Sequence, residues 1–167
     1  MKALLVTAAA VGLLASTPAF ASAGAPANAN ATADAVIVQP IAIQKVTDLN
    51  FGRIAADSNA GTVTVDNSGN RTSSNPPSLL IGGTAPSAAT FTVSGEPNLA
   101  YTASLTSSTI SLTGAGTMSA ALTLQQAGPS LNGSGASSVS VGGVLSVGAN
   151  QAAGTYQGTM TVNVSYD

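Results

Sequence analysis

From about Ala33 to Tyr166 apolar and polar side chains alternate over short stretches, and Gly, Asn, Pro or Ser closes each stretch. A period of two sends successive side chains to opposite faces of an extended chain, so the pattern predicts β-strands with one wet face. The predicted strands are 34–39, 41–47, 49–54, 61–66, 77–82, 88–95, 99–106, 109–113, 117–124, 137–147 and 154–166. Beyond the N-terminal segment no stretch sustains the 3.6-residue period of an amphipathic helix. Many short strands at close spacing predict an all-β fold, an immunoglobulin-like antiparallel sandwich, with barrel closure as the alternative.

The two ends of the pattern differ from the middle. The last stretch places Tyr156, Gly158, Met160, Val162, Val164 and Tyr166 on one face. Thr155, Gln157, Thr159, Thr161, Asn163 and Ser165 lie on the other. That alternation predicts a single long core strand. At the other end Val36 and Val38 share one face of an extended chain, and Ile37, Ile41 and Ile43 share the opposite face. Pro40 sits between them and has no N–H to give to a ladder. Asp34 and Lys45 are the charges of this segment. An apolar edge strand is a template for another chain unless it is paired. The segment therefore either folds back as the first strand of its own sandwich or supplies a strand to another subunit.

The chain begins with Met1-Lys2, an apolar run from Ala3 to Ala15, a break at Ser16-Thr17-Pro18, and Ala19-Phe20-Ala21. The run is too short for a membrane span, which needs about 20 residues. The order of charge, apolar run and small-x-small site predicts a secretory signal peptide over 1–21. Residues 22–32 are small and polar and predict a flexible leader. Residues 33–167 then form one β-sandwich domain that begins with the strand segment 33–46. The expected location is outside the cytoplasm: periplasm, cell surface or an extracellular fibre.

Composition narrows the chemistry. Charged residues make up 6% of the chain, against roughly 25% in an ordinary domain. His 0 and Cys 0 leave no zinc site of the usual kind, no Ser-His or Cys-His nucleophile, and no disulfide. Lys+Arg 4 is too few for a nucleic-acid surface or a polybasic membrane patch. Asp66-Asn67-Ser68-Gly69-Asn70 offers oxygens at alternate positions, but Arg71 and Pro77 stand where a calcium loop needs Gly and Glu. It reads as a turn, as does Asp57-Ser58-Asn59-Ala60-Gly61. Glu96 has no second acid near it in sequence, which a two-carboxylate glycosidase would need. Gly82-Gly83 and Gly142-Gly143 read as bulges or turns, because neither a helix nor Lys follows them. Asn30, Asn70, Asn132 and Asn163 begin glycosylation sequons, which matter only in a eukaryotic secretory pathway. The expectation is no enzyme, no metal, no cofactor, no nucleic acid and no small-molecule substrate.

Three segments carry a resemblance. Leu49-Asn50-Phe51-Gly52-Arg53-Ile54 resembles an early strand of bacterial fimbrial subunits and spore-coat-U-like proteins. The stretch from Phe91 to Tyr101, together with Val141–Gly148 and Gly154–Thr159, is similar to the bacterial domain-of-unknown-function family forty-four-oh-two. The resemblance covers roughly residues 33–166 and by itself implies no activity.

Chaperone–usher fimbrial subunits end in an alternating strand with a penultimate aromatic residue and a Gly fourteen residues from the C-terminus. Tyr166 and Gly154 hold those places here. The fimbrial resemblance implies a structural subunit of a surface fibre. Its partners would be copies of itself, with a periplasmic chaperone and an outer-membrane usher. Val36, Ile37, Val38, Ile41 and Ile43 would serve as the donor strand. Gly154, Tyr156, Gly158, Met160, Val162, Val164 and Tyr166 would form the C-terminal assembly strand. Many such subunits carry a disulfide, which this chain lacks, and Pro40 interrupts the donor segment. The alternative is a monomeric secreted or surface-associated sandwich that binds a ligand or matrix.

Overall fold

The computed structural model describes Gly24, residues 28–74 and residues 83–167. The predicted signal peptide and the predicted strand 77–82 lie outside the described residues. Ile37–Asp167 form one compact unit. It is all-β and antiparallel, with no helix among the described residues.

The strands are β1 (Ala42–Thr47), β2 (Gly61–Val65), β3 (Arg71–Ser74), β4 (Ala89–Ser94), β5 (Tyr101–Leu105), β6 (Thr109–Thr113), β7 (Thr117–Gln126), β8 (Ala136–Val147) and β9 (Val162–Tyr166). β8 organises the larger sheet. β7 runs along one of its edges, pairing Ser119 with Ser146 through to Gln126 with Val139. The other edge is shared. β4 pairs with Ala136–Val141, and β2 pairs with Gly143–Val147. β1 continues the sheet beyond β4, β3 beyond β2, and β6 beyond β7. β5 and β9 form a separate two-stranded sheet.

Burial follows the alternation. Along β8 the side chains of Val139, Val141, Leu145 and Val147 are buried, while Ser138 and Ser146 are exposed. Gly142 lies where the shared edge passes from β4 to β2, and a Cβ there would stand 2.5 Å from the Val65 carbonyl oxygen. Gly142 and Gly143 are thus neither turn nor bulge. They lie inside a strand that three neighbours crowd.

The two sheets meet through apolar side chains, a sandwich-like arrangement. Val93 and Val139 of the larger sheet and the buried Tyr101 of β5 share a cluster with Leu131. Ile41, Ile43, Leu124, Val162, Val164 and Tyr166 pack around it. The Tyr101 hydroxyl donates to Ser137 Oγ at 2.8 Å, so this buried ring keeps its polar end satisfied. A second cluster, with Phe51, Val63, Val65, Leu112, Ala120, Leu145 and Val147, fills the other end of the larger sheet.

The structure departs from the predicted strands at four places. Residues 34–39 make no ladder, so the chain's first described strand is β1, after Pro40. Over 49–54 there is no named strand, and Asn50 makes an isolated bridge to Ser87. The polar strand β3 has no counterpart among the predicted strands, because Arg71-Thr72-Ser73-Ser74 has no apolar alternation. It forms because the Asp66–Asn70 turn folds the chain back along β2, with Asp66 Oδ1 accepting from the N–H groups of Ser68 and Asn70. The long strand predicted over 154–166 is a ladder only at its end, over β9.

Candidate functional site: a groove with an apolar floor

Strand edges decide where this domain can accept more chain. β3 is a polar edge. The outer edge of β5 is covered by the main chain of Pro129, whose carbonyl accepts from the Tyr101 N–H at 3.2 Å, and by the side chain of Gln126. Gln126 Oε1 accepts from the Ala103 N–H at 3.0 Å, and Gln126 Nε2 donates to the Tyr101 carbonyl at 2.9 Å and to the Gly128 carbonyl at 2.6 Å. An amide presents one donor and one acceptor group as a peptide does, so Gln126 stands in for a neighbouring strand. β1 and β9 are different. Among the described residues β1 pairs only with β4, and β9 only with β5.

Upstream of β9 the chain changes partner. Thr113 of β6 bridges to Gln157 with N–H···O distances of 2.9 and 3.0 Å in the two directions, and the Thr106 N–H donates to the Thr161 carbonyl. A Cβ at Gly158 would lie 2.6 Å from the Ser111 carbonyl oxygen, so Gly lets this stretch pass close to β6. Residues 155–161 are therefore tied to β6 first and to β5 later. That change of sheet is why the alternating stretch is not one strand.

β1 and β9 stand close where Ile41 and Ile43 join Val162, Val164 and Tyr166 in one cluster. Toward Lys45 on one side and Thr155 on the other a groove of about 770 Å³ lies open. One wall comprises Lys45 and Asp48–Phe51, and the other comprises Thr155–Met160. Ala89 and Phe91 of β4 and Ile110 and Leu112 of β6 form its floor. A depression of about 550 Å³ adjoins it, sharing Asn50, Leu112, Thr155 and Tyr156 and adding Arg53, Ile54 and Gln151. The Lys45 ammonium pairs with Asp48 Oδ1 at 2.7 Å on the rim, an exposed pair worth little to stability. The floor itself has no charged group.

The predicted site residues fall into separate places. Ile41 and Ile43 are half-buried in the chain's own cluster, and Ile43 pairs with Val93 in β1–β4. Val36, Ile37 and Val38 are 89%, 97% and 41% exposed. The five predicted donor residues are thus divided at Pro40, two inside the fold and three outside any ladder. Of the C-terminal set, Tyr156, Met160, Val162, Val164 and Tyr166 are half-buried and alternate with exposed residues, while Gly154 and Gly158 are exposed. The Tyr156 hydroxyl donates to the Ala152 carbonyl at 2.7 Å and accepts from Gln151 Nε2 at 2.8 Å. Tyr166 donates to the Gln39 carbonyl at 2.8 Å and accepts from the Glu96 N–H at 2.6 Å. The groove floor and the Gln126 cap were not singled out by sequence reasoning. Ala89, Phe91, Ile110 and Leu112 come from two strands that are not neighbours in the sheet, so no local pattern marks them as one surface.

The two aspartates that suggested calcium sit in turns. Asp57 is held below the ordinary carboxylate range first by the Asn59 N–H and next by the Ser58 hydroxyl. Asp66 is held down first by the Asn70 side-chain amide and next by the Asn70 N–H. Among the described residues no three acidic or other metal-ligating side chains come together.

Residues 41–166 match the family described as Domain of unknown function (DUF4402), and the chain belongs to that family. No curated protein and no solved structure matches the chain.

Proposed function

We propose that the protein is a non-catalytic, exported structural subunit of a fimbria-like surface fibre, assembled by β-strand exchange. In this reading the domain is an immunoglobulin-like sandwich short of one strand. The open stretch between β1 and residues 155–166 accepts residues 33–39 of another copy. The observation that carries the reading is the pairing of opposites in one chain. A groove with an apolar floor and polar walls opens at the Lys45 end of β1, whose outer edge has no partner among the described residues, and an apolar segment of the same chain, Val36-Ile37-Val38, lies exposed outside any ladder. Six residues, 33–38, span about 20 Å when extended, the same as the six residues of β1 that they would lie beside.

The energetics are of the right order. Burying each Val or Ile stabilises by about 1.5–3 kcal/mol. Each main-chain hydrogen bond adds a net of about 0.5–1.5 kcal/mol. Association costs an estimated 4–15 kcal/mol in lost freedom of motion. Two or three side chains alone would leave a weak joint, so the main-chain ladder is what makes it long-lived, and the side chains set register.

The test is assembly of the mature chain. Protein run unboiled on a denaturing gel should form a ladder of oligomers that boiling collapses, and light scattering should show mass rising with concentration. A chain that stays monomeric at high concentration, with residues 33–39 protected from protease, contradicts the reading. That result would instead fit a monomeric secreted or surface-associated binding or matrix protein.

A further inference from the structure

The groove and the segment proposed to fill it belong to the same chain, which makes closure in cis the first competitor. A tethered segment sees its own groove at an effective concentration of roughly millimolar. Residues 33–38 are separated from β1 only by Gln39, Pro40 and Ile41. A tight turn there would lay residues 33–38 antiparallel to β1, on its side toward the groove. We propose that Gln39-Pro40-Ile41 is a stop against self-closure, which bars the segment from its own groove and reserves that groove for a second copy of the chain. The proposal rests on the strand-exchange reading above.

Backbone chemistry excludes the short hairpins one by one. A two-residue loop at Gln39-Pro40 in a type I′ turn needs positive φ at both residues, and the Pro ring fixes φ near −65°. A type II′ turn needs positive φ at Gln39, a position that favours Gly and that a residue before Pro resists further. A three-residue loop over 39–41 needs Ile41 in the left-handed region, which a β-branched residue avoids. Among the described non-Gly residues only Asn98 and Asn150 have positive φ. A four-residue loop over 39–42 would take the first residue of β1 and its pairing of Ala42 with Ser94, and loops extended the other way would use up Val38 and Ile37, the apolar residues that closure is meant to bury.

A clamp strengthens the stop. The Gln39 N–H donates to Glu96 Oε2 at 3.0 Å, and its carbonyl accepts from the Tyr166 hydroxyl at 2.8 Å. That same hydroxyl accepts from the Glu96 N–H at 2.6 Å, so one side chain of β9 and one residue after β4 hold both main-chain groups of Gln39. Reversing the chain at Gln39 would break these bonds. Tyr166 and Glu96 act here as positioning residues.

The experiment replaces the stop with a hairpin turn. The double variant Gln39→Asn, Pro40→Gly supplies Asn-Gly, the pair that type I′ turns favour. Wild type and variant are refolded as mature chains and separated by size. The monomer fractions are then treated with a broad-specificity protease and the cuts read by mass spectrometry. In the wild-type monomer, cleavage within residues 33–38 should precede cleavage of the core. In the variant that cleavage should slow by about tenfold or more, because a paired strand must open first. The variant should also fail to form the ladder. Equal cleavage in the two monomers overturns the proposal, and so does protection of residues 33–38 in the wild-type monomer. If circular dichroism shows the variant misfolded, the wild-type monomer still decides between these outcomes. If wild type yields no monomer, a variant that assembles as fully as wild type overturns the proposal. A wild type that is cleaved as predicted but never assembles removes the fibre reading and leaves the stop standing.

Discussion

β8 and the stretch from Thr155 to Tyr166 are two twelve-residue runs with the same alternation, and the fold treats them differently. β8 is paired along both edges, and its inward side chains Val139, Val141, Leu145 and Val147 are 0–5% exposed. The terminal stretch is a ladder only over β9, pairs with β5 on one edge, and leaves its apolar side chains half-buried. The difference teaches that alternation reports which face is apolar, and that the cover over that face is a separate matter. For β8 the cover is the chain itself. For the terminal stretch a groove with an apolar floor lies open beside Thr155–Met160.

The contrast sets the order of expected effects. Leu145→Ala removes a fully buried side chain from the paired run and should lower unfolding free energy by about 2–5 kcal/mol, read from urea melts. Gln126→Ala removes the cap on β5 and should cost about 1–3 kcal/mol. It would also uncover the Ala103 N–H and the Tyr101 carbonyl on the β5 edge, so dynamic light scattering should detect irregular aggregation that wild type does not show. Met160→Ala, on the open run, should cost the monomer about 1 kcal/mol or less, because its side chain is already half exposed. The same change should weaken fibre assembly by more than it weakens the fold. If Leu145→Ala and Met160→Ala cost the monomer equally, the two runs are not different in the way argued.

The smallest effect is that of acid. The lowered pKa values of Asp57 and Asp66 stabilise the folded chain at neutral pH, and that contribution is lost as pH falls through their folded values, below about pH 4. Both groups lie in turns on either side of β2. A melting-temperature profile should therefore be flat between about pH 5 and 8, where a chain with His 0 has no side chain of ordinary acidity to titrate, and should fall only under stronger acid. Acid should loosen the β2–β3 hairpin before the groove, which amide exchange resolved by residue would show.

Much of this architecture was legible in the sequence. β4, β6, β7 and β8 fall within one or two residues of their predicted spans, because each has apolar alternation bounded by turn residues. The inward face of 156–166 was legible for the same reason. β3 was not, since Arg71–Ser74 is held in place by a turn and by its neighbour rather than by burial. β1 falls within one residue of its predicted span 41–47, with Pro40 marking its start; what the pattern did not show is that Val36–Val38, apolar like Ile41 and Ile43, join no ladder. The groove was not legible at all. Its walls and floor are four segments far apart in the chain, and sequence periodicity carries no information on which edges stay open.

The most direct measurement uses the absence of Cys 0 as an advantage, since any introduced thiol has a single identity. One preparation carries Ile37→Cys and another carries Thr159→Cys on the groove wall. They are mixed, allowed to assemble and oxidised mildly. The account predicts a disulfide between the two variants, and little with a control carrying Ser74→Cys on the polar edge β3. Val38→Cys in place of Ile37→Cys tests register, because the two side chains point to opposite faces of the inserted strand. Equal cross-linking to Thr159→Cys and Ser74→Cys, or monomers with no cross-link at high concentration, would contradict the claim that another copy completes this groove.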